Sequence, residues 1–370
     1  MQQVNSAISA STWPAAPGPA LFSWGANGSG QLGLSNITNY SSPKQVGTLI
    51  NWSKIDGGQS QTLAIKTDGT LWSWGNNTYG VLGLGNTTNY SSPKQVGALT
   101  TWSQLSTGNY HCAAIKTDGT LWAWGRGLFG ALGLGNTTNY SSPKQVGSLT
   151  NWQSVSGGNY RTLAITTSGA LYSWGYGSSG ALGLGNTTDY SSPKQVGALT
   201  NWASVSSSKF GSFSLSVKTD GTLWFWGQGG VGQSGLGNLT YYSSPKQIGA
   251  LTNWSAVSAS TAHSVATTTS GYLYTWGQGT QGQLGLGNTT SYSSPKQVGA
   301  LTTWSKISAV MFSTFAIKTD GTLWSWGYNP DGQLGLGNIT YYSSPKQIGG
   351  LTTWLSISSG TYFTLARKTT

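Results

Sequence analysis

The chain has 370 residues, 7% of them charged and 12% aromatic, and a net charge of +11. So high an aromatic share excludes an intrinsically disordered chain, the single Cys112 excludes an internal disulfide framework or a thiolate metal cluster, and no run of about 18 apolar residues offers a membrane span. Lys and Arg outweigh seven Asp, with no Glu, an imbalance that bears on solubility and on attraction to anionic surfaces rather than on fold.

Residues 1–18, MQQVNSAISASTWPAAPG, carry no charged side chain. Pro14 and Pro17, with Pro19 just beyond, predict an extended arm, a candidate tether to a larger assembly. No basic stretch precedes an apolar one here, so no signal peptide is expected. From Pro19 onward one pattern recurs. A Trp-Gly pair falls at Trp24, Trp74, Trp124, Trp174, Trp226, Trp276 and Trp326, every 50 residues except for 52 between Trp174 and Trp226. A second tryptophan recurs at Trp52, Trp102, Trp152, Trp202, Trp254, Trp304 and Trp354. A fixed period of this size means stacked supersecondary units, which we read as one domain over residues 19–370.

Within one repeat, Trp52–Ile55 reads as strand A and Gly57–Gln61 as a loop. Thr62–Lys66 reads as strand B, Thr67-Asp68-Gly69 as a tight turn in which Asp-Gly supplies positive φ, and Thr70–Trp74 as strand C. A Gly- and Asn-rich connection leads to a short outer strand D at Pro93–Val96, where an opening proline suits an edge. Four short antiparallel strands per period make a propeller blade. Pro19 to Thr370 spans seven periods of 50 plus the two-residue insertion. The C-terminal segment aligns with strand B and the first repeat begins at strand C, so the two ends are expected to pair and leave no open edge. The predicted fold is therefore all-β, a closed seven-bladed β-propeller of four-stranded blades.

Catalysis needs acids, bases or metal ligands in one place. Asp68, Asp118, Asp220 and Asp320 belong to the hairpin turns, which leaves Asp56, Asp189 and Asp331. His111 and His263 share a loop position on blades that are not neighbours and make a poor metal site; they read as structural, hydrogen-bonded histidines. The Gly-Leu-Gly stretches have no following helix to cradle a phosphate. No enzymatic activity, cofactor or metal is expected. The Asn-x-Thr triplets are acceptor sequons on paper, but asparagine as a turn former explains them equally.

The series G-x-x-x-x-LAIKTDGTLWSWG, then G-x-LGLGN, then SP-x-QVG resembles the regulator-of-chromosome-condensation repeat over Pro19–Thr370. Kelch repeats have a similar period, but the Trp-Gly pair followed by G-x-LGLGN points to the former family. The resemblance implies a seven-bladed propeller sealed by its two ends, and functions that differ between members. A nucleotide-exchange member carries an inserted wedge hairpin and a basic N-terminal tail. Here the longest insertion is two residues near Ser206–Gly211, and residues 1–18 contain no Lys or Arg. A plant photoreceptor member senses ultraviolet light through tryptophans in G-W-R-H-T motifs, where this chain reads Gly108-Asn-Tyr-His-Cys112 and Gly158-Asn-Tyr-Arg-Thr162. A bacterial member that clamps an enzyme with its propeller face is the nearer analogue.

The copies also differ among themselves, in the A–B loop and just after Trp-Gly. In an up-and-down blade both stretches emerge at one end, so the residues that vary should gather on one face, with the uniform Asp-Gly turns on the other. The candidate binding residues there are Tyr79, Tyr110, His111, Arg126, Phe129, Tyr160, Arg161, Tyr176, Phe210, His263, Met311, Phe312, Tyr328, Tyr362 and Phe363, aromatic anchors among adaptable polar groups. Lys44, Lys94, Lys144, Lys194, Lys246, Lys296 and Lys346 form a ring by symmetry, either as solvated charge or as a weak contact for an anionic polymer. The function expected is non-enzymatic binding of a protein or glycan through the variable face, displayed on a virus (phage) particle or cell exterior. The alternatives are a decoration protein of a phage capsid or tail and a guanine-nucleotide exchange regulator.

Overall fold

An Asp-Gly turn organises four of the six B–C hairpins, at Asp68, Asp118, Asp220 and Asp320. Asp68 Oδ1 accepts from the backbone N–H and the hydroxyl of Thr70 (2.9 and 2.6 Å), and the Thr70 hydroxyl in turn accepts from Trp72 Nε1 (2.8 Å). These bonds hold the Asp68 carboxyl below its ordinary range. In the computed structural model, which describes residues 18–369, blades one to six each grow from a B–C hairpin into four antiparallel strands in chain order. In the first blade these are A at Trp52–Gly57, B at Gln61–Lys66, C at Leu71–Gly75 and D at Tyr90–Gln95. Blades two to six begin their A strands at Trp102, Trp152, Trp202, Trp254 and Trp304.

The seventh blade joins the two ends of the described chain. Trp354–Ser359 and Phe363–Lys368 supply A and B, and Ala20–Gly25 and Tyr40–Gln45 supply C and D. The seam runs in unbroken antiparallel register from Ala20↔Lys368 to Gly25↔Phe363. The ring is closed, with strands A innermost. The arm expected over residues 1–18 lies, Gly18 excepted, outside the described residues. Among the described residues no helix is long and apolar enough to cross a membrane.

Alternation along strands B and C gives each blade two unlike faces. Leu63, Ile65 and Leu71 of the first blade pack on Trp102 and Trp124 of the second, while its own Trp52, Ala64 and Trp74 pack on Leu21, Val46 and Leu365 of the seventh. Each Trp of a Trp-Gly pair is fully buried and donates Nε1 to a backbone carbonyl of the preceding repeat, as Trp74 does to Gln31 (2.9 Å) and Trp124 to Val81 (2.9 Å). The glycines of G-x-LGLGN are needed at this contact: Gly83, at φ +74°, would set a Cβ 2.7 Å from Trp124 Nε1.

Strands A, B and C shift by one or two residues at an end from the sequence reading, and strand D differs most. Strand D begins at Tyr90, not at Pro93, which lies inside it. Three residues, 91–93, stand opposite Trp74 alone, between the pairs Ser73↔Lys94 and Gly75↔Tyr90. The proline is accepted because it sits in this bulge, where no ladder N–H is required.

Candidate functional site

The A–B loop and the start of the C–D connection are bonded to each other: Asn76 N donates to Ser60 O (2.7 Å) and Arg126 N to Tyr110 O (2.9 Å). The two variable stretches therefore share one face. The Asp-Gly turns lie on the other, beside the D–A connections, where Trp102 N donates to Gly69 O (3.1 Å).

The variable face carries two aromatic groups. Across blades one to three, Tyr79 meets Tyr110 edge-on (5.7 Å), Tyr110 stacks on Tyr160 (5.7 Å), and Phe129 contacts Tyr160 (5.7 Å) and Tyr176 (4.5 Å). Arg126 lies among them, its guanidinium 4.4 Å from the Tyr79 ring centre, with Nη1 donating to Tyr160 Oη (3.0 Å). Burial pushes the Tyr160 hydroxyl up, against the opposing pull of Arg126. Across blades six and seven, Tyr328 contacts Phe312 (6.1 Å), Tyr341 (4.8 Å) and Tyr362 (6.2 Å). Half-buried Asp331 adjoins this group and accepts from Asn39 Nδ2 (3.2 Å); desolvation raises its carboxyl above the ordinary range. Phe210 and Met311, both half-buried, occupy the A–B loops of the fourth and sixth blades.

Backbone strain concentrates here. Tyr79 (φ +66°), Phe129 (φ +58°), Tyr160 (φ +54°) and Met311 (φ +48°) are held in the left-handed region. For a bulky side chain this costs on the order of 1–2 kcal/mol each and persists only where the surroundings impose it. The residue after Tyr79 shows how: Gly80 is pressed on the next blade, so a Cβ there would lie 2.4 Å from Ser141 Cα.

Four of the expected face residues are elsewhere. His111, Arg161, His263 and Phe363 open their B strands and point between blades, at most 1% exposed. His111 Nε2 pairs with Thr162 Oγ1 of the next blade (2.8 Å), and His263 Nε2 with Thr314 Oγ1 (2.8 Å). Arg161 donates Nη1 to Gly211 O (3.0 Å) and Nη2 to Phe213 O (2.6 Å) and Ser208 O (3.2 Å). Desolvation lowers His111 to about 4, His263 to about 3 and Arg161 to about 9. These side chains clasp neighbouring blades. The loop variation that flagged them reflects alternative clasps, such as Gln61, which reaches Gly108 O and Asn109 O.

Seven family-model matches to the regulator of chromosome condensation (RCC1) repeat cover residues 20–65, 68–115, 118–165, 168–215, 220–267, 270–317 and 320–367. The chain belongs to the RCC1 repeat family. Each match runs from strand C of one blade to strand B of the next, the same offset that makes the RCC1 ring close on its two ends. Among solved structures, Prp20p from Saccharomyces cerevisiae is 19% identical over 96% of this chain and 92% of its own, with a TM-score of 0.83. Human WBSCR16 is 20% identical over 95% and 99%, with a TM-score of 0.84. Yeast RCC1 (Prp20) in complex with Kap60 is 19% identical over 100% and 96%, with a TM-score of 0.83. No curated protein matches the sequence.

The lysine ring is present on the exposed outer strands of this RCC1 propeller. Each ammonium lies over the tyrosine four residues earlier, as Lys44 does over Tyr40 (5.4 Å) and Lys296 over Tyr292 (5.3 Å). The sequons are Asx turns, with Asn86 Oδ1 accepting from Thr88 N (3.0 Å) and the same bond in the other repeats. Among the described residues no three His, Cys, Asp or Glu side chains come together to hold a metal.

Two features of the site were missed from sequence. Tyr341 joins the second aromatic group, and a signal existed: the first, second and third repeats carry Asn39, Asn89 and Asn139 at that position. Lys209 crosses the channel mouth to Asp56, donating Nζ to Oδ1 (2.8 Å) and to the carbonyl of Gly57. Behind this bridge lies a polar cavity of about 300 Å³, lined by serines including Ser156, Ser258 and Ser308.

Proposed function

We propose that this RCC1-repeat propeller is a non-catalytic recognition module that binds a protein partner through its variable-loop face. One observation carries the reading: bulky aromatic side chains, half-buried rather than hidden, are held in left-handed backbone on that face and gathered into contiguous groups. Rigid aromatic platforms of this kind supply contact area at low entropic cost. Two solved relatives are described with protein partners, Gsp1p and histones for Prp20p and Kap60 for yeast RCC1, which supports protein recognition as the class of function. Display on a virus particle or cell exterior and decoration of a capsid or tail draw on repeat composition and the uncharged N-terminal arm, and anionic-polymer recognition on the lysine ring. No contact described above bears on these or on a glycan, so the proposal is confined to protein binding. Nucleotide exchange is not favoured, since the two extra residues near Ser206–Gly211 already serve to carry Lys209 across the channel.

A random peptide library selected on the full chain tests the reading. The variant combining Tyr110→Ala, Phe129→Ala and Phe312→Ala is expected to keep its circular dichroism spectrum yet lose the selected peptides. A control combining Leu99→Ala, Leu199→Ala and Leu301→Ala alters exposed D–A connections on the opposite face and should keep them. Loss in the leucine variant with retention in the aromatic one would sink the proposal.

A further inference from the structure

Arg126 breaks its repeat. The equivalent positions hold Ala26, Asn76, Tyr176, Gln228, Gln278 and Tyr328, none of them charged. Its guanidinium lies 4.4, 5.3 and 5.6 Å from the ring centres of Tyr79, Tyr160 and Tyr110, which come from three successive blades. A guanidinium has five N–H donors in a planar fork, and the protein engages one nitrogen of it, Nη1, through Tyr160 Oη. Among the described residues the one ion pair joins Lys209 to Asp56 at the channel mouth, so the charge of Arg126 has no carboxylate of its own. Rings on several sides restrict how it can move. Tyr79 and Tyr160 adopt positive φ to place those rings, a conformation that bulky residues avoid unless the site demands it.

We propose that Arg126, with the rings of Tyr79, Tyr110 and Tyr160, forms a pocket that reads an aspartate or glutamate side chain of the protein partner. The carboxylate bonds the unused N–H edge of the guanidinium, and the residues flanking it pack on the rings. A single planar cation matches the charge and fork geometry of one carboxylate. A phosphate group, with a charge of about −1.5 to −2, would remain undercompensated there. The low dielectric beside the rings strengthens the pair relative to one in open solvent. The inference rests on the proposed recognition role of the variable face, and it names the chemistry that one part of that face selects.

The test uses the full chain and peptides from the random library that depend on the aromatic face. Such peptides are expected to share an Asp or Glu. Changing that residue to Asn or Gln should weaken binding to the wild type about tenfold or more, as loss of a charge-assisted bond does. The same change should matter little to Arg126→Gln, whose thermal unfolding midpoint serves as the fold control. Arg126→Lys, which keeps the charge but not the plane, should fall between the two. Should Arg126→Gln fail to fold, the acid-to-amide change in the peptide, measured on wild type at rising salt, still decides the matter, because a carboxylate contact must weaken with salt. Face-dependent peptides that share no acid, or that bind Arg126→Gln as tightly as wild type, overturn the carboxylate pocket and leave the recognition face standing. Tighter binding when the acid is replaced by phosphoserine overturns it in favour of phosphate. A selection with no face-dependent peptide overturns both readings.

Discussion

His111 and His263 stand at the edge of variable loops, yet their rings lie between blades with one nitrogen bonded to a threonine of the next blade. Burial opposes protonation and lowers them to about 4 and about 3 from the ordinary 6.5. The unfolded chain therefore takes up these protons first. The stability that the neutral rings contribute is complete above pH 6.5, and it is lost as the pH falls from there towards about 4 and about 3. Together the loss is on the order of several kcal/mol. Gln61 occupies the same position and bonds the next blade through its amide, so glutamine is accommodated there. The double variant His111→Gln, His263→Gln should show a flatter curve of urea-unfolding free energy against pH between about 6.5 and about 4. The Asp-Gly turns, whose carboxyls are lowered by their threonine bonds, lose their contribution at lower pH in both proteins. An unchanged slope above pH 4 would contradict the burial account of the histidines.

At the scale of the element, the repeats show which residues act as a unit. Where strand B ends in Lys66, Lys116, Lys218 or Lys318, the ammonium lies 3.6–3.9 Å from the centre of Trp72, Trp122, Trp224 or Trp324, and the turn between them holds an Asp. Where strand B ends in Thr166 or Thr268, the ring is Tyr172 or Tyr274 and the turn holds Ser168 or Ser270. Cation, ring and carboxylate change together because each partly compensates another: the ring face attracts the ammonium, and Asp68 opposes the desolvation that lowers Lys66. The triple change Lys116→Thr, Asp118→Ser, Trp122→Tyr converts one version into the other. It should cost less stability than its three single changes summed, by about 0.5 kcal/mol or more in urea unfolding. Strict additivity would mean that the three positions vary independently.

At the scale of the whole molecule, a ring of strands must satisfy its inner edge. The residue at position 56 is serine in the other six A strands. Five of these side chains accept from the backbone of the next blade, as Ser106 Oγ does from Gly157 N (2.9 Å), Ser156 Oγ from Ser207 N (3.0 Å) and Ser358 Oγ from Gly57 N (3.2 Å), while Ser308 Oγ bonds the hydroxyl of Ser359 (3.0 Å). This belt gives partners to N–H groups that would otherwise face the channel unpaired. Asp56 is the exception, accepting from Thr107 N (2.8 Å) and Ser358 Oγ (2.6 Å) as well as from Lys209. The chain thus departs from its repeat at two places far apart, an acid in the belt and a longer loop with a lysine, and the two departures meet. Asp56→Ser restores the belt but leaves Lys209 without its counter-ion, whereas adding Lys209→Ser removes both members of the pair. The double variant is expected to be more stable than the sum of the single effects implies, by about 1 kcal/mol or more in a thermodynamic cycle. No coupling would mean that the bridge contributes nothing to ring closure.

The period, the blade, the closed ring and the common face of the variable loops were all legible in the amino-acid order. Each follows from short-range patterns repeated seven times: alternation along strands, Asp-Gly at the turns and a constant spacing of tryptophans. The tertiary structure decided where individual side chains point. Whether the first residue of strand B faces solvent or the next blade depends on partners about fifty residues away, which is why His111, Arg161, His263 and Phe363 moved from face to interior. The bridge from Lys209 to Asp56 and the gathering of Tyr79, Tyr110, Arg126 and Tyr160 likewise need the curvature of the finished ring, since only closure brings these blades to their mutual distances and no local pattern carries that information.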